Sequence, residues 1–194
     1  MTRTVRKHHH SVVPLLFALL LALGGAGLTG AGEAGEAREM ATVYVVRHAE
    51  KQTGDDPGLT AAGRERARQL AHVLEDAGID AVFSTDWART RETAAPVAAA
   101  AGLSPQFYAS ADEVAGAIRR QSGGEAGGDT FLVVGHSNTL DDVAASLGVT
   151  GLSDLDESEY DHLYVIHLHP SGAFLERLRF GAPSPVDGQP TEPR

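Results

Sequence analysis

The chain has 194 residues, 42% of them hydrophobic and 22% charged, with a formal charge of −10 and no cysteine. That length supports one domain with a substantial core, and the composition is that of an ordinary globular chain. The acidic balance argues against nucleic-acid binding, and the lack of cysteine leaves no disulfide to brace the fold.

Arg3, Arg6 and Lys7 precede an apolar run from Val12 to Leu23, and the small residues of GGAGLTGAG follow. Basic, apolar and small segments in that order describe a secretory signal peptide. The apolar run is short for a membrane span. A cleaved signal over residues 1–31 is therefore the favoured reading, with an uncleaved membrane anchor as the alternative. Either implies an extracytoplasmic protein, secreted or periplasmic. Without residues 1–31, which hold three cations and no anion, the formal charge becomes −13. Residues 32–41 read as a linker, 42–180 as the domain, and the Pro-rich 181–194 as a disordered tail.

Within the domain, apolar Thr42–Val46 predicts a buried strand. Thr60 suits the N-cap of a helix whose stripe is Ala67, Leu70, Ala71 and Leu74, with Gly78 past its end. Ala81–Phe83 predicts a second strand. Arg89–Ala101 is Ala-rich and helical up to Gly102, and Pro96 inside it suggests a kink or a late start. Gln106–Tyr108 is a third strand candidate, and Asp112–Arg120 a short helix capped by Ser110 or Asp112. Thr130–Val134 is an apolar strand, and Thr139–Leu147 a helix. His162–Leu168 and Ala173–Leu178, joined by Pro170-Ser171-Gly172, read as a hairpin. Alternating strands and helices predict an α/β protein, a three-layer α/β/α sandwich around a mostly parallel sheet.

In such sheets ligands sit beyond the C-terminal ends of the strands. The first strand runs into Arg47-His48, the second into a segment that reaches Arg89, and the Thr130–Val134 strand into Gly135-His136-Ser137. Three strands thus deliver two arginines and two histidines to one edge. VVRHAEK, LTAAGRERA, STDWARTRETA and VVGHSNTL, in that order and spacing, resemble the histidine phosphatase superfamily, also called phosphoglycerate mutase-like. The likeness runs from about Thr42 to Leu178, and the compact size is like that of small secreted or phosphohistidine-type phosphatases.

The resemblance implies that His48 attacks phosphorus and becomes phosphohistidine, which water then hydrolyses. The residue types suit that chemistry. Arg47 and Arg89 offer permanently charged planar forks to phosphoryl oxygens. His136 adds a donor, and Ser137 and the N–H groups after it are expected at the phosphate. His48 must be neutral, with its other ring nitrogen held by a neighbour such as a backbone carbonyl. No cofactor or metal is expected, because the arginines neutralise the charge. His167 and His169 share a strand face but have no third ligand at suggestive spacing.

The proton for the leaving group is less well provided. Glu50 and the pair Asp112/Glu113 are level as candidate general acids. The favoured function is a metal-independent phosphatase acting on a phosphorylated small molecule or phosphoprotein, with a phosphomutase or a non-catalytic anion-binding protein as rivals. Specificity is expected from the loops Gln52–Gly58, Ala109–Glu113 and Gly148–Tyr160. A monomer is the default, and membrane contact is expected only if the N-terminal segment stays uncleaved.

Overall fold

The computed structural model describes residues 40–122 and 128–184. The expected signal or anchor segment, most of the linker, residues 123–127 and the chain beyond 184 lie outside the described residues. Among the described residues no helix is long and apolar enough to cross a membrane.

The elements follow in the order β1 (Ala41–Arg47), α1 (Ala61–Val73), β2 (Ala81–Ser84), α2 (Ala88–Ala101), β3 (Gln106–Phe107), α3 (Ala111–Gln121), β4 (Asp129–Gly135), α4 (Leu140–Ser146), β5 (His162–His169) and β6 (Gly172–Arg179). The strands form one sheet in the order β3-β2-β4-β1-β5-β6. Strands β1 to β4 are mutually parallel, and the β5–β6 hairpin joins antiparallel to β1.

Strand periodicity builds the three layers. Successive side chains point to opposite faces. Val43 and Val45, Ala81 and Phe83, and Phe131 and Val133 pack with Val114, Ala115 and Ile118 of α3 and Val143 and Ala144 of α4. The alternate residues Val46, Val82, Leu132 and Val134 pack with Leu70 of α1 and Ala94, Val97 and Ala98 of α2. The central strands are apolar on both faces because helices cover both.

Several boundaries differ from the sequence reading. Helix α1 stops at Val73, with Leu74 as its C-cap, and Gly78 takes a left-handed φ of 66° only after a further turn. Helix α2 runs unbroken through Pro96. Its first N–H, at Ala88, is capped by the Asp56 carboxylate from the loop after β1. Residues 181–184, expected to be disordered, are fastened to the domain. Ser184 Oγ accepts from the Tyr160 N–H and donates to Asp161, and the buried Arg66 donates to the carbonyls of Phe180 and Ala182. These backbone acceptors have no signature in a Pro-rich tail.

The turn from β1 into α1 is tightly built. Thr60 Oγ1 accepts from the Gly63 N–H, and the Glu50 carbonyl accepts from both the Thr60 N–H and hydroxyl. A Cβ on Gly63 would lie 2.2 Å from that carbonyl oxygen. Gly63→Ala gains about 1 kcal/mol of helix propensity. Displacing a backbone carbonyl that carries two hydrogen bonds costs more, so a net loss of about 1–3 kcal/mol is expected in urea unfolding.

Candidate active site

Sheet register assembles the site. Arg47 ends β1 opposite Gly135 at the end of β4, and Ser84 of β2 lies opposite Val134. The residues that follow, His48, His136 and Thr85, therefore emerge side by side. The His48 N–H donates to the Gly135 carbonyl, the two imidazole rings lie 5.5 Å apart, and Thr85 Oγ1 is 2.9 Å from His136 Nε2. Gly135 leaves room for Tyr108 and Leu140 behind the site, since a Cβ there would meet Tyr108 Oη at 3.0 Å and Leu140 at 3.1 Å.

Arg47 is 2% exposed. Its Nη1 donates to the carbonyls of Asp156, Glu157 and Glu159, and its Nη2 donates to Glu157 Oε2 at 2.9 Å. The Tyr160 ring lies 4.1 Å from the guanidinium carbon. Arg47 thus anchors the segment between α4 and β5 as well as facing the site. Its Nε is buried without a protein partner, as is Nε of Arg89. Arg89 projects from the start of α2, stacks on Trp87 at 4.7 Å and brings Nη2 to 3.4 Å from His136 Nδ1. Two buried cationic N–H groups without acceptors beside two imidazoles make a ready anion site.

His48 Nδ1 lies 2.8 Å from the Ala49 carbonyl. A carbonyl only accepts, so Nδ1 carries the proton and Nε2 keeps its lone pair. Burial pushes the His48 pKa down to about 3, against the raising effect of that hydrogen bond and with help from Arg47. Burial first, then Arg89 and Arg47, lower His136 to about 4. Both rings are neutral at pH 7, and a neutral imidazole with a free Nε2 is a competent nucleophile. An arginine only donates, so His136 Nδ1 accepts from Arg89 and the ring proton lies on Nε2, which donates to Thr85 Oγ1; His136 becomes a donor at Nδ1 once a bound anion draws Arg89 away and Thr85 donates to Nε2 instead. Thr93 supports the turn: its hydroxyl accepts from the Ala49 N–H and donates to the Arg89 carbonyl. Beside His136 opens a cavity of about 450 Å³ lined in part by Asp86, Trp87, Ser110 and Thr139.

Residues 43–118 match the model of the histidine phosphatase superfamily (branch 1). Over that segment the chain is similar to this superfamily. Probable phosphoglycerate mutase GpmB of Escherichia coli is 39% identical over 71 residues, which cover 32% of this chain and 33% of GpmB. The match thus spans about a third of that curated relative's length. The protein histidine phosphatase SixA, solved with tungstate, shares the fold with TM-score 0.58 and 18% identity over 71% of this chain and 96% of SixA. The alpha-ribazole phosphatase of Shigella flexneri gives TM-score 0.55 and 17% identity, over 71% of this chain and 96% of that one. The phosphoglycerate mutase-like fold expected from the motifs is the fold observed.

The other candidate residues have structural partners. Glu50 is held by the buried Arg66, at 2.7 Å from Nη2 and 3.0 Å from Nε. Asp112 accepts from Ser146 Oγ and so ties α3 to α4. Glu113 accepts from the Ala109 N–H while Ser110 accepts from the Glu113 N–H, a reciprocal cap on α3. The Ser110-x-x-Glu113 spacing carries that signal in the sequence. Ser137 is at the site, but its hydroxyl donates to Glu157 Oε1 at 2.8 Å. The His136 N–H is taken by Thr139 Oγ1, and α4 begins only at Leu140. His167 lies 3.8 Å from Glu176, and among the described residues no group of three or more metal-ligating side chains occurs.

Sequence reasoning missed Glu157. It lies in the expected specificity loop Gly148–Tyr160, but its pairing with Arg47 and Ser137 spans long sequence separations that no local pattern encodes.

The depressed histidines couple acid to unfolding. Unfolded, both groups protonate near 6.5; folded, near 3 and 4. As pH falls below 6.5, the unfolded chain takes up protons that the folded chain refuses. Stability therefore drops by up to about 1.4 kcal/mol per pH unit for each histidine. Urea unfolding from pH 7 to 5 is expected to show this slope, and His136→Asn to flatten it. An equal slope in the variant would exclude His136 as a source of the acid sensitivity.

Proposed function

We propose that the protein is a metal-independent phosphohydrolase that transfers a phosphoryl group to His48 and then to water. The observation that carries this reading is a buried, neutral His48, its Nδ1 held by Ala49, beside two guanidiniums with unpaired Nε groups. A phosphoryl dianion supplies the acceptors those donors lack, and the arginines and His136 stabilise charge developing on its equatorial oxygens. A non-catalytic anion site has no need of a nucleophile held in this tautomer.

Hydrolysis is favoured over phosphoryl return to the product, as a mutase requires. The loop after β1 is pinched shut by the Lys51–Leu59 bridge and the Gln52 N–H to Gly58 carbonyl bond, so it offers no lid to exclude water. The substrate is a phosphorylated small molecule or a phosphoprotein, its organic part in the cavity beside His136. The basic, apolar and small order of the first 31 residues supports an extracytoplasmic location, by a cleaved signal or a retained anchor.

The test is hydrolysis of p-nitrophenyl phosphate with EDTA present, coupled to trapping of labelled enzyme. Turnover is expected to survive EDTA, and the trapped phosphoryl group to resist alkali and leave in acid, as an N–P bond does. Loss of turnover in EDTA, or a label that survives acid, would overturn the proposal.

A further inference from the structure

We infer that Glu157 is the proton-transfer carboxylate of this site. The inference rests on the phosphohydrolase reading. Glu157 Oε2 sits 2.9 Å from Arg47 Nη2, next to the unpaired Arg47 Nε, and Oε1 sits 2.8 Å from Ser137 Oγ. Arg47 and Ser137 are the donors expected to hold a phosphoryl group. No other carboxylate among the described residues is hydrogen-bonded to either side chain. The three acids that the sequence offered are bound to Arg66, Ser146 and the Ala109 N–H.

In the free protein Glu157 is held ionised. The Ser137 hydrogen bond, then Arg47 and Lys51, lower its pKa. The groups facing it are Arg47 on β1, Lys51 after it, Ser137 after β4 and Tyr160 of its own segment. A phosphoryl dianion entering at Arg47 Nε and Ser137 takes over the donors that keep the carboxylate charged. A second anion at the same guanidinium edge disfavours the charged carboxylate and raises its pKa. Glu157 then takes up a proton, which lies between its carboxyl and an oxygen of the substrate. Most of its side chain is open to solvent, so the proton comes from water.

The chemistry balances in two steps. The His48 Nε2 lone pair attacks phosphorus, the P–O bond to the leaving group breaks, and the Glu157 O–H proton passes to the departing oxygen. Water then attacks phosphorus, Glu157 removes its proton, and the P–N electron pair returns to Nε2.

The reading predicts how rate depends on the leaving group. Expulsion of p-nitrophenolate needs little protonation, whereas an alkoxide needs much. Glu157→Gln keeps the size of the side chain but holds no transferable acid proton; Glu157→Ala and the melting temperatures of both variants control for loop disruption. Relative to the wild type, kcat/KM for an alkyl phosphate such as glycerol phosphate is expected to fall about 10²-fold or more, and that for p-nitrophenyl phosphate only a few-fold. Equal losses on both esters would make Glu157 a positioning residue only and overturn the inference. So would a wild type that hydrolyses p-nitrophenyl phosphate but no alkyl ester. A wild type that hydrolyses neither ester overturns the phosphohydrolase reading itself, and the inference with it.

Discussion

Replacing His48 with alanine is expected to lower kcat on p-nitrophenyl phosphate by at least about 10⁴-fold without unfolding the protein. The remaining donors still bind a phosphate ester, but the other neutral ring there, His136, has both nitrogens engaged, by Thr85 and by Arg89. Losses of this size follow removal of a covalent nucleophile elsewhere. Stability is expected to change little. The Ala49 carbonyl loses its Nδ1 donor, but a buried imidazole that resists protonation to about pH 3 is also removed. The variant should therefore lose less of its stability than the wild type between pH 7 and 5. The checks are kcat, the melting temperature and the dissociation constant for inorganic phosphate. Retention of more than about 1% of the wild-type rate by a folded variant would place the nucleophile elsewhere.

Arg47→Ala is expected to cost both activity and fold, and here it parts company with Arg89→Ala. Four hydrogen bonds run from Arg47 to the segment Asp156–Glu159, and Tyr160 stacks on its guanidinium. Removing it leaves three carbonyls and a carboxylate without their cation, at a cost of about 3–5 kcal/mol. Arg47→Lys should recover little, because one ammonium cannot serve three carbonyls and also offer a planar edge to an anion. Among the described residues the Arg89 side chain makes only the long His136 contact and the stack on Trp87. Arg89→Ala should therefore lose at least about 10²-fold in kcat/KM with a stability change below about 1 kcal/mol. Urea unfolding and kinetics on both variants separate the two roles. Equal stability losses would mean that Arg47 does not anchor the loop.

Most of the architecture is legible in the sequence because its causes are local. The period-2 faces of β1, β2 and β4, the Thr60 cap and the left-handed Gly102 depend on residues a few positions apart. Boundaries slipped where distant groups decide. Asp56 caps α2 from another loop, and Arg66 and Asp161 hold residues 181–184 in place. The convergence of Arg47, His48, Arg89 and His136 is legible for a related reason. Parallel strands end at one edge of the sheet, so residues just after them converge whatever the loops do.

The amino-acid sequence by itself determined the α/β alternation, the likeness to the histidine phosphatase superfamily, and the four residues delivered by β1, β4 and the segment after β2. Each follows from short-range pattern and from motif order. Only the tertiary structure decided which nitrogen of His48 is free, that burial keeps both histidines neutral, and that Glu50, Asp112 and Glu113 serve packing and caps. It alone also brought Glu157, 110 positions along the chain, onto Arg47. Protonation state and partner choice depend on desolvation and on contacts between distant segments, and those exist only once the chain has closed around the site.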